Sequence, residues 1–227
     1  MEYKTNLTLT NFTKGRNSEI KFIVIHYTAN DGDTDESNAS YFHILYRGAS
    51  AHCFIDENSC TKVVNDSDTA WHCNDSQKYT NGGAAFKNIC NNDNSIGIEM
   101  CSDIVDGKYV ITEATVNNTV EAVKRYMNAY SIPVKNVIRH FDVTGKICPE
   151  PFVKDESKWE DFKDRLEEEE MQERYSKVSE LPKSLQEEVQ ELVDSGALKG
   201  DGNGNLNITE DMARCMIINK RYVDSKK

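Results

Sequence analysis

Lys21-Phe22-Ile23-Val24-Ile25-His26 is a short apolar, β-branched run closed by a histidine. A run of this kind, apolar at consecutive positions and too short for a helix, predicts a strand buried inside a sheet. Residues 36 to 47 then read as a helix, and Ala51-His52-Cys53-Phe54-Ile55-Asp56 as a second strand. Glu57-Asn58 marks a turn into a paired third strand over 60 to 65. Ser95-Ile96-Gly97-Ile98-Glu99-Met100-Cys101 alternates as a strand does. Val116, Val120, Val123, Met127 and Tyr130 recur at helical spacing, with Pro133 beyond the helix end. Val134 to Phe141 gives a further strand ending near His140, and Trp159, Phe162 and Leu166 mark one more amphipathic helix. Strands interleaved with helices imply an α/β domain, with a central mixed β-sheet flanked by helices, over residues 1–170.

Residues 66 to 94 are rich in Asn, Asp, Ser and Gly. A loop of that length inside a domain is functional or mobile more often than it is filler. Glu167 to Glu170 is a run of four carboxylates, read as a solvated helix end or linker. Residues 171–180 are therefore expected to be an acidic helical linker, and 181–227 a small all-α module. In that module Ser184-Leu-Gln-Glu187 has the form of a capping box, opening a helix with Leu185, Val189 and Leu192 on one face. Gly196 and Gly200 end it, and Asn207 or Glu210 would cap a second helix carrying Met212, Cys215 and Met216. Asp201-Gly-Asn203-Gly-Asn205 begins like a calcium loop, but Leu206 stands where Gly is needed and Met212 where Glu is needed. A turn explains those residues better.

Composition narrows the function. Among 227 residues, 27 Lys+Arg against 38 Asp+Glu leave a net charge of −11. That speaks against nucleic acid and against an anionic membrane surface, both of which need a basic face. No apolar run approaches a membrane span, and no hydrophobic stretch follows Met1-Glu2-Tyr3-Lys4 as a secretory signal would. Seven cysteines without such a signal are expected to stay thiols, in a protein made in the cytoplasm.

The chemistry-bearing residues begin with five histidines: His26, His43, His52, His72 and His140. A histidine at a strand end is often a hydrogen-bonded structural residue, but His26 and His140 both occupy such ends. His140-Phe-Asp-Val-Thr-Gly-Lys146-Ile-Cys148 could return a thiolate to the same place. Two imidazoles and one thiolate would leave a fourth tetrahedral position open, the catalytic rather than the structural pattern of zinc. The spacing alone leaves both readings open. His43 lies in an apolar helical stretch and reads as a packing or surface residue.

Five motifs then fall in a telling order: Phe-Ile-Val-Ile-His26-Tyr27-Thr-Ala, Ser-Ala-His52-Cys-Phe-Ile-Asp, Ala-Trp71-His72, Asn94-Ser-Ile-Gly-Ile-Glu99-Met, and Arg-His140-Phe-Asp through Lys146 to Cys148-Pro. Together they resemble the type 2 N-acetylmuramoyl-L-alanine amidases, over roughly residues 15 to 165. That family shares its fold with peptidoglycan-recognition proteins and includes many phage endolysins. The resemblance implies a Zn2+ site on His26, His140 and Cys148, with Glu99 and Lys146 as catalytic residues. It places Tyr27, His52, Trp71, His72 and Asn94 along the substrate groove, His52 with the least secure role. It implies an endolysin from a Gram-positive host, made without a signal peptide, that cuts peptidoglycan between the muramic acid and L-alanine after release. A peptidoglycan-binding module without catalysis is the alternative. Recognition proteins that bind without cutting commonly lack the thiolate, so Cys148 implies the enzyme. Residues 192–204, Leu-Val-Asp-Ser-Gly-Ala-Leu-Lys-Gly-Asp-Gly-Asn-Gly, also loosely resemble part of an S-layer-homology module and C-terminal modules of endolysins, which implies wall binding. The expected roles of the tail are attachment to a secondary wall polymer, homodimerisation or assembly.

Overall fold

The 22–27 run pairs with a strand on each side inside a six-stranded sheet. The computed structural model describes residues 1–75, 77–168, 174–201 and 205–226. The sheet contains β1 (Glu2–Thr5), β2 (Phe22–Tyr27), β3 (Cys53–Ile55), β4 (Ser59–Lys62), β5 (Ser95–Met100) and β6 (Val137–Arg139). Their spatial order is β1-β4-β3-β5-β2-β6. The β3–β4 hairpin is antiparallel and every other pair is parallel, so the sheet is mixed, as the sequence implied. Strand β5 lies between two parallel neighbours, and its Ile96 and Ile98 are fully buried.

One face of the sheet carries the main core. Ile23, Ile25, Ile96, Ile98 and Met100 pack there against helices α2 (Glu113–Tyr130), α4 (Glu150–Lys154) and α5 (Glu156–Glu167). Phe162 of α5 is 0% exposed; its ring stacks on Trp159 at 5.5 Å and leans on Phe152 at 5.4 Å. The alternate residues point to the other face. There Phe22 and Val24 meet Ile138, Val143, Cys73 and Cys90 in a smaller cluster. His26 and Glu99 follow on the same face at the strand ends. Helix α1 (Asp35–His43) packs on β3 and β4.

Two local expectations shift for identifiable reasons, and two elements appear that the sequence reading did not include. The helix expected to run to 47 ends at His43. Its last carbonyls are claimed from outside: Asn11 Nδ2 donates to Phe42 O and Leu45 O, and Thr8 Oγ1 donates to Phe42 O. The strand expected over 134–141 is a turn at Val134–Asn136 followed by only three strand residues. His140 then opens the one-turn helix α3 (His140–Thr144), because Asp142 caps it by accepting the Arg139 N–H at 2.8 Å. Strand β1 and a hairpin of Asp103–Val105 with Lys108–Val110 were not read from the sequence. The hairpin turns at Asp106-Gly107, both at positive φ, which this dipeptide favours. All seven cysteines are free thiols.

The chain divides into two compact units, 1–168 and 169–227. In the second, α6 (Lys183–Asp194) and α7 (Glu210–Asp224) bury Leu185, Val189, Ala213 and Ile217. A short antiparallel pair, Arg174–Tyr175 with Ile208–Thr209, accompanies them. Helix α6 opens behind Pro182, so Ser184 lies inside the first turn and is not the cap expected of it. Helix α7 is capped by Thr209, whose Oγ1 accepts the Met212 N–H, rather than by Asn207 or Glu210. Met212 and Cys215 of that helix are exposed. Residues 169–173, shared between the acidic run and the expected linker, and 202–204 of the calcium-like loop lie outside the described residues. No described helix is long and apolar enough to cross a membrane.

Both tryptophans lie in the first unit, so their fluorescence reports its unfolding. Phe162→Ala should remove about 3–5 kcal/mol of stability, the usual cost of emptying a large aromatic site. Urea denaturation followed at tryptophan would show it; a cost below about 1 kcal/mol would mean the ring cluster is not part of the cooperative core.

Candidate metal centre

Strand register assembles the site. In the parallel β2–β5 ladder His26 is directly opposite Glu99, and in the β2–β6 ladder Ile25 is opposite Arg139. The next residue, His140, therefore emerges beside His26, and the two rings lie 4.6 Å apart. Arg139 fixes that emergence. Its buried guanidinium binds Asp142 at 3.1 Å, Glu156 at 2.6 Å and the Phe152 carbonyl at 3.0 Å. Helix α3 stops at Gly145 in the left-handed region (φ 82), and the chain turns back. The Phe141 N–H then donates to the Cys148 carbonyl at 2.9 Å and closes the loop. This brings Cys148 Sγ to 3.8 Å from His26 Nδ1.

One ligand atom from each of His26, His140 and Cys148 lies within 4.8 Å of the other two, and all three residues are buried. A tetrahedral zinc bound by one nitrogen and one thiolate separates them by about 3.5 Å, from bond lengths near 2.0 and 2.3 Å. The 3.8 Å spacing fits that geometry with little adjustment. A second observation agrees. Among the described residues, the buried side-chain polar atoms lacking an aligned hydrogen bond are Glu99 Oε2 and the two ring nitrogens of His140. Such atoms are scarce, and here all belong to one site, where His140 Nε2 has only the Asp75 carboxylate beside it.

The electrostatics are those of a dry pocket. Burial pushes His26 well below the ordinary imidazole value, and the neighbouring His140 and His72 add to it. Burial lowers His140 as well, although Asp75 opposes it. Both rings are thus neutral, the form that binds metal. Burial pushes the Cys148 thiol up, so an incoming cation has to displace its proton. Glu99 is raised to about 8, mainly by burial, with Lys146 pulling it down and Asp33 pushing it up. Lys146 itself is exposed on the loop. From Glu99 a groove of about 530 Å³ runs past Asn30, Asn38, Tyr41 and Phe54.

The remaining predicted residues divide. Tyr27 follows His26 and packs edge-on against Tyr109 at 5.3 Å. Three do not line an open groove. His52 is 0% exposed, with Nδ1 accepting from the Gly97 N–H and Nε2 against Arg16, so its role is to hold β3 on β5. His72 is turned inward, its Nδ1 3.0 Å from His26 Nε2. Asn94 spends its amide on the Ile89 carbonyl and the Asn91 N–H. Trp71 bonds Thr13 through its indole and meets Tyr46 edge-on, with no ring contact to the cluster. His43 is structural: its ring nitrogen meets the Leu7 carbonyl.

Sequence reading missed Asp75, in the Asn- and Asp-rich loop. Its Oδ2 lies 2.9 Å from His140 Nε2 and accepts from Thr144 Oγ1 at 3.3 Å. Burial raises the Asp75 carboxyl, but His140 beside it wins and holds it below the ordinary range. A carboxylate behind a ligating histidine is a familiar outer partner of metal sites. An acidic residue one position from Asn74 in a polar loop carries no sequence signal of that role. Arg16 was missed too; it fastens the carbonyls of Asp66, Asp93 and Ser95 under the site.

Residues 16–151 match the family described as N-acetylmuramoyl-L-alanine amidase (Amidase_2). The N-acetylmuramoyl-L-alanine amidase BlyA of Bacillus subtilis (strain 168) is 33% identical over 153 residues, 65% of this chain and 41% of that protein. The amidase CwlL of Bacillus licheniformis is 31% identical over 153 residues, with the same shares. The chain thus spans about two fifths of the length of these curated relatives. The solved structure of PlyL superposes with a TM-score of 0.59 at 26% identity, covering 73% of this chain and 97% of that one. The PlyG catalytic domain gives 0.58 at 26% identity, covering 74% and 94%.

The raised Glu99 value has a consequence for stability. The folded state holds this proton above the ordinary 4.5, so the stability it carries is present below 4.5 and lost as pH rises toward about 8. Metal-free Glu99→Gln should therefore gain on the wild type across that window, by up to about 5 kcal/mol. Thermal melts at several pH values test it; parallel curves for the two proteins would mean that Glu99 is not desolvated.

Proposed function

Because the chain belongs to the N-acetylmuramoyl-L-alanine amidase family, we propose that it hydrolyses the amide joining the lactyl group of N-acetylmuramic acid to L-alanine in peptidoglycan. The observation that carries this reading is the convergence of His26, His140 and Cys148 within 4.8 Å, beside a buried carboxylate opposite His26 in register. The donor set of two neutral imidazoles and one thiol suits Zn2+ with a position left for substrate. When bound, the ion supplies Lewis-acid activation of the scissile carbonyl and of the attacking water.

The chain's own groups handle protons and charge. Glu99 accepts a proton from the attacking water and returns it to the departing amine of L-alanine as the C–N bond breaks. A carboxyl tuned up toward neutrality suits both transfers, since it is neither too weak a base nor too weak an acid. Lys146 presents a positive charge to the oxyanion that forms as water adds. The groove beside Glu99 combines amides with aromatic faces, as a sugar–peptide ligand requires. Tyr27 and Trp71 remain candidates for its rim; His52, His72 and Asn94 act behind it.

The assignment extends to a bacteriolytic role of endolysin type against Gram-positive walls. For the second unit we propose attachment to a secondary wall polymer. Its exposed Met212, Ile218, Tyr222 and Val223 supply an apolar surface on α7. A second copy of the chain is the competing occupant. The full chain should sediment with washed walls more strongly than the chain truncated after 168; equal retention with concentration-dependent dimers would favour the second copy.

Digestion of peptidoglycan should yield new N-terminal L-alanine and no new reducing sugar ends by mass spectrometry. A chelator should abolish it. Cys148→Ser should lose zinc and activity together. Glu99→Gln should keep zinc and lose roughly 10²–10⁴-fold in kcat. Binding to walls without any cleavage would instead identify a recognition module.

A further inference from the structure

Three alternate residues of β5 face the site: Ser95, Gly97 and Glu99. Glu99 has a role above, and Gly97 and Ser95 do not. A Cβ on Gly97 would lie 2.5 Å from Cγ of His72. The glycine is therefore the floor on which the His72 ring rests, and the ring is held there at both ends. His72 Nδ1 is 3.0 Å from His26 Nε2, and His72 Nε2 is 3.1 Å from Ser95 Oγ. Ser95 Oγ is in turn 2.5 Å from the Asn91 carbonyl, with Cys73 Sγ further off at 3.8 Å.

The protons in this chain have one consistent arrangement. The Asn91 carbonyl can only accept, and two oxygens 2.5 Å apart without a proton between them repel. The Ser95 hydroxyl therefore donates to Asn91. Its oxygen then accepts from His72 Nε2–H. That leaves His72 Nδ1 as an acceptor, which takes Nε2–H of His26. The His26 Nδ1 lone pair is left free, and it is this atom that faces Cys148 Sγ. A carbonyl three hydrogen bonds away thus selects the ring nitrogen that meets the ion.

We propose that His72, backed by Ser95 and seated on Gly97, is a positioning residue that fixes His26 as the tautomer able to bind a metal through Nδ1. It acts through His26 and does not touch substrate. The inference rests on the zinc-hydrolase reading for its purpose, but its tautomer is a property of the metal-free protein. The Trp71-His72 pair is thereby divided: one residue near the surface, the other behind the metal.

Long-range 1H–15N NMR of the metal-free full chain should find His26 protonated at Nε2 and bare at Nδ1. His72→Leu, Ser95→Ala and Gly97→Ala should each yield mixed His26 tautomers. Each should also weaken zinc about 10–100-fold in competition with a chelating dye, the usual scale for losing an outer partner. Ser95→Ala removes one oxygen and keeps the fold, which far-UV circular dichroism would verify. His72→Asn, whose amide oxygen can accept in place of Nδ1, should recover most of the affinity that His72→Leu loses. Protonation of His26 at Nδ1 in the wild type would overturn the proposal. So would wild-type tautomer and affinity in all three variants. The expected wild-type tautomer in a chain that binds no zinc would uphold the relay and sink the zinc reading.

Discussion

The parallel pairing of β2 with β5 on one side and β6 on the other is the constraint from which the site follows. It sets His26 opposite Glu99 and delivers His140 next to His26. Side chains alternate along a strand, so a slip of one residue would send His26 into the aliphatic core and Ile25 into the site. That core holds Ile23, Ile25, Ile96 and Ile98 at zero exposure, which makes such a slip prohibitive. Packing on one face of the sheet thereby holds the chemistry on the other in place.

A sheet alone cannot bring Cys148 to His26 and His140, and here charged groups act as structure. Arg139 ends β6 and starts α3 by binding Asp142, while its second nitrogen reaches Phe152 and Glu156 beyond the Cys148 loop. The loop is therefore clamped at both ends, by Arg139 and by the Phe141–Cys148 backbone bond. A nearly buried guanidinium is expensive unless its donors are used, and these are used on both sides of the turn they set.

How much of this was legible follows from the range of each interaction. Strand β2, helix α2 and the Phe162 helix were readable because period and composition are local properties. The convergence of His26, His140 and Cys148 beside Glu99 was legible through motif order, although only His26 and Glu99 lie within strands as read from the sequence and Cys148 arrives on a loop. Helix α1 ended early through Asn11 and Thr8, more than 30 residues away, and no local pattern contains that information. The inward turn of His72 depends on an absent side chain at Gly97, and Asp75 on the fold of a polar loop. Caps failed for a related reason. Ser184 had the right spacing, but Pro182 had already started the helix.

Burial gives these groups a common logic. Without a metal, His26 and His140 are neutral and Cys148 keeps its proton, so the pocket carries no cation and no thiolate. A protonated thiol is a poor nucleophile and resists oxidation. Glu99 is protonated more readily than a surface carboxyl for the same reason. Apart from the Asp75 carboxylate behind His140, these groups are thus uncharged. A divalent cation held by His26, His140 and Cys148 would favour the ionised thiol and draw Glu99 toward its charged form, while both imidazoles would stay neutral. Desolvation holds the unloaded site inert, and the same desolvation strengthens each charge interaction once the ion is bound. His26 at the end of β2, His140 at the start of α3 and Cys148 in the clamped loop after it all share that buried setting.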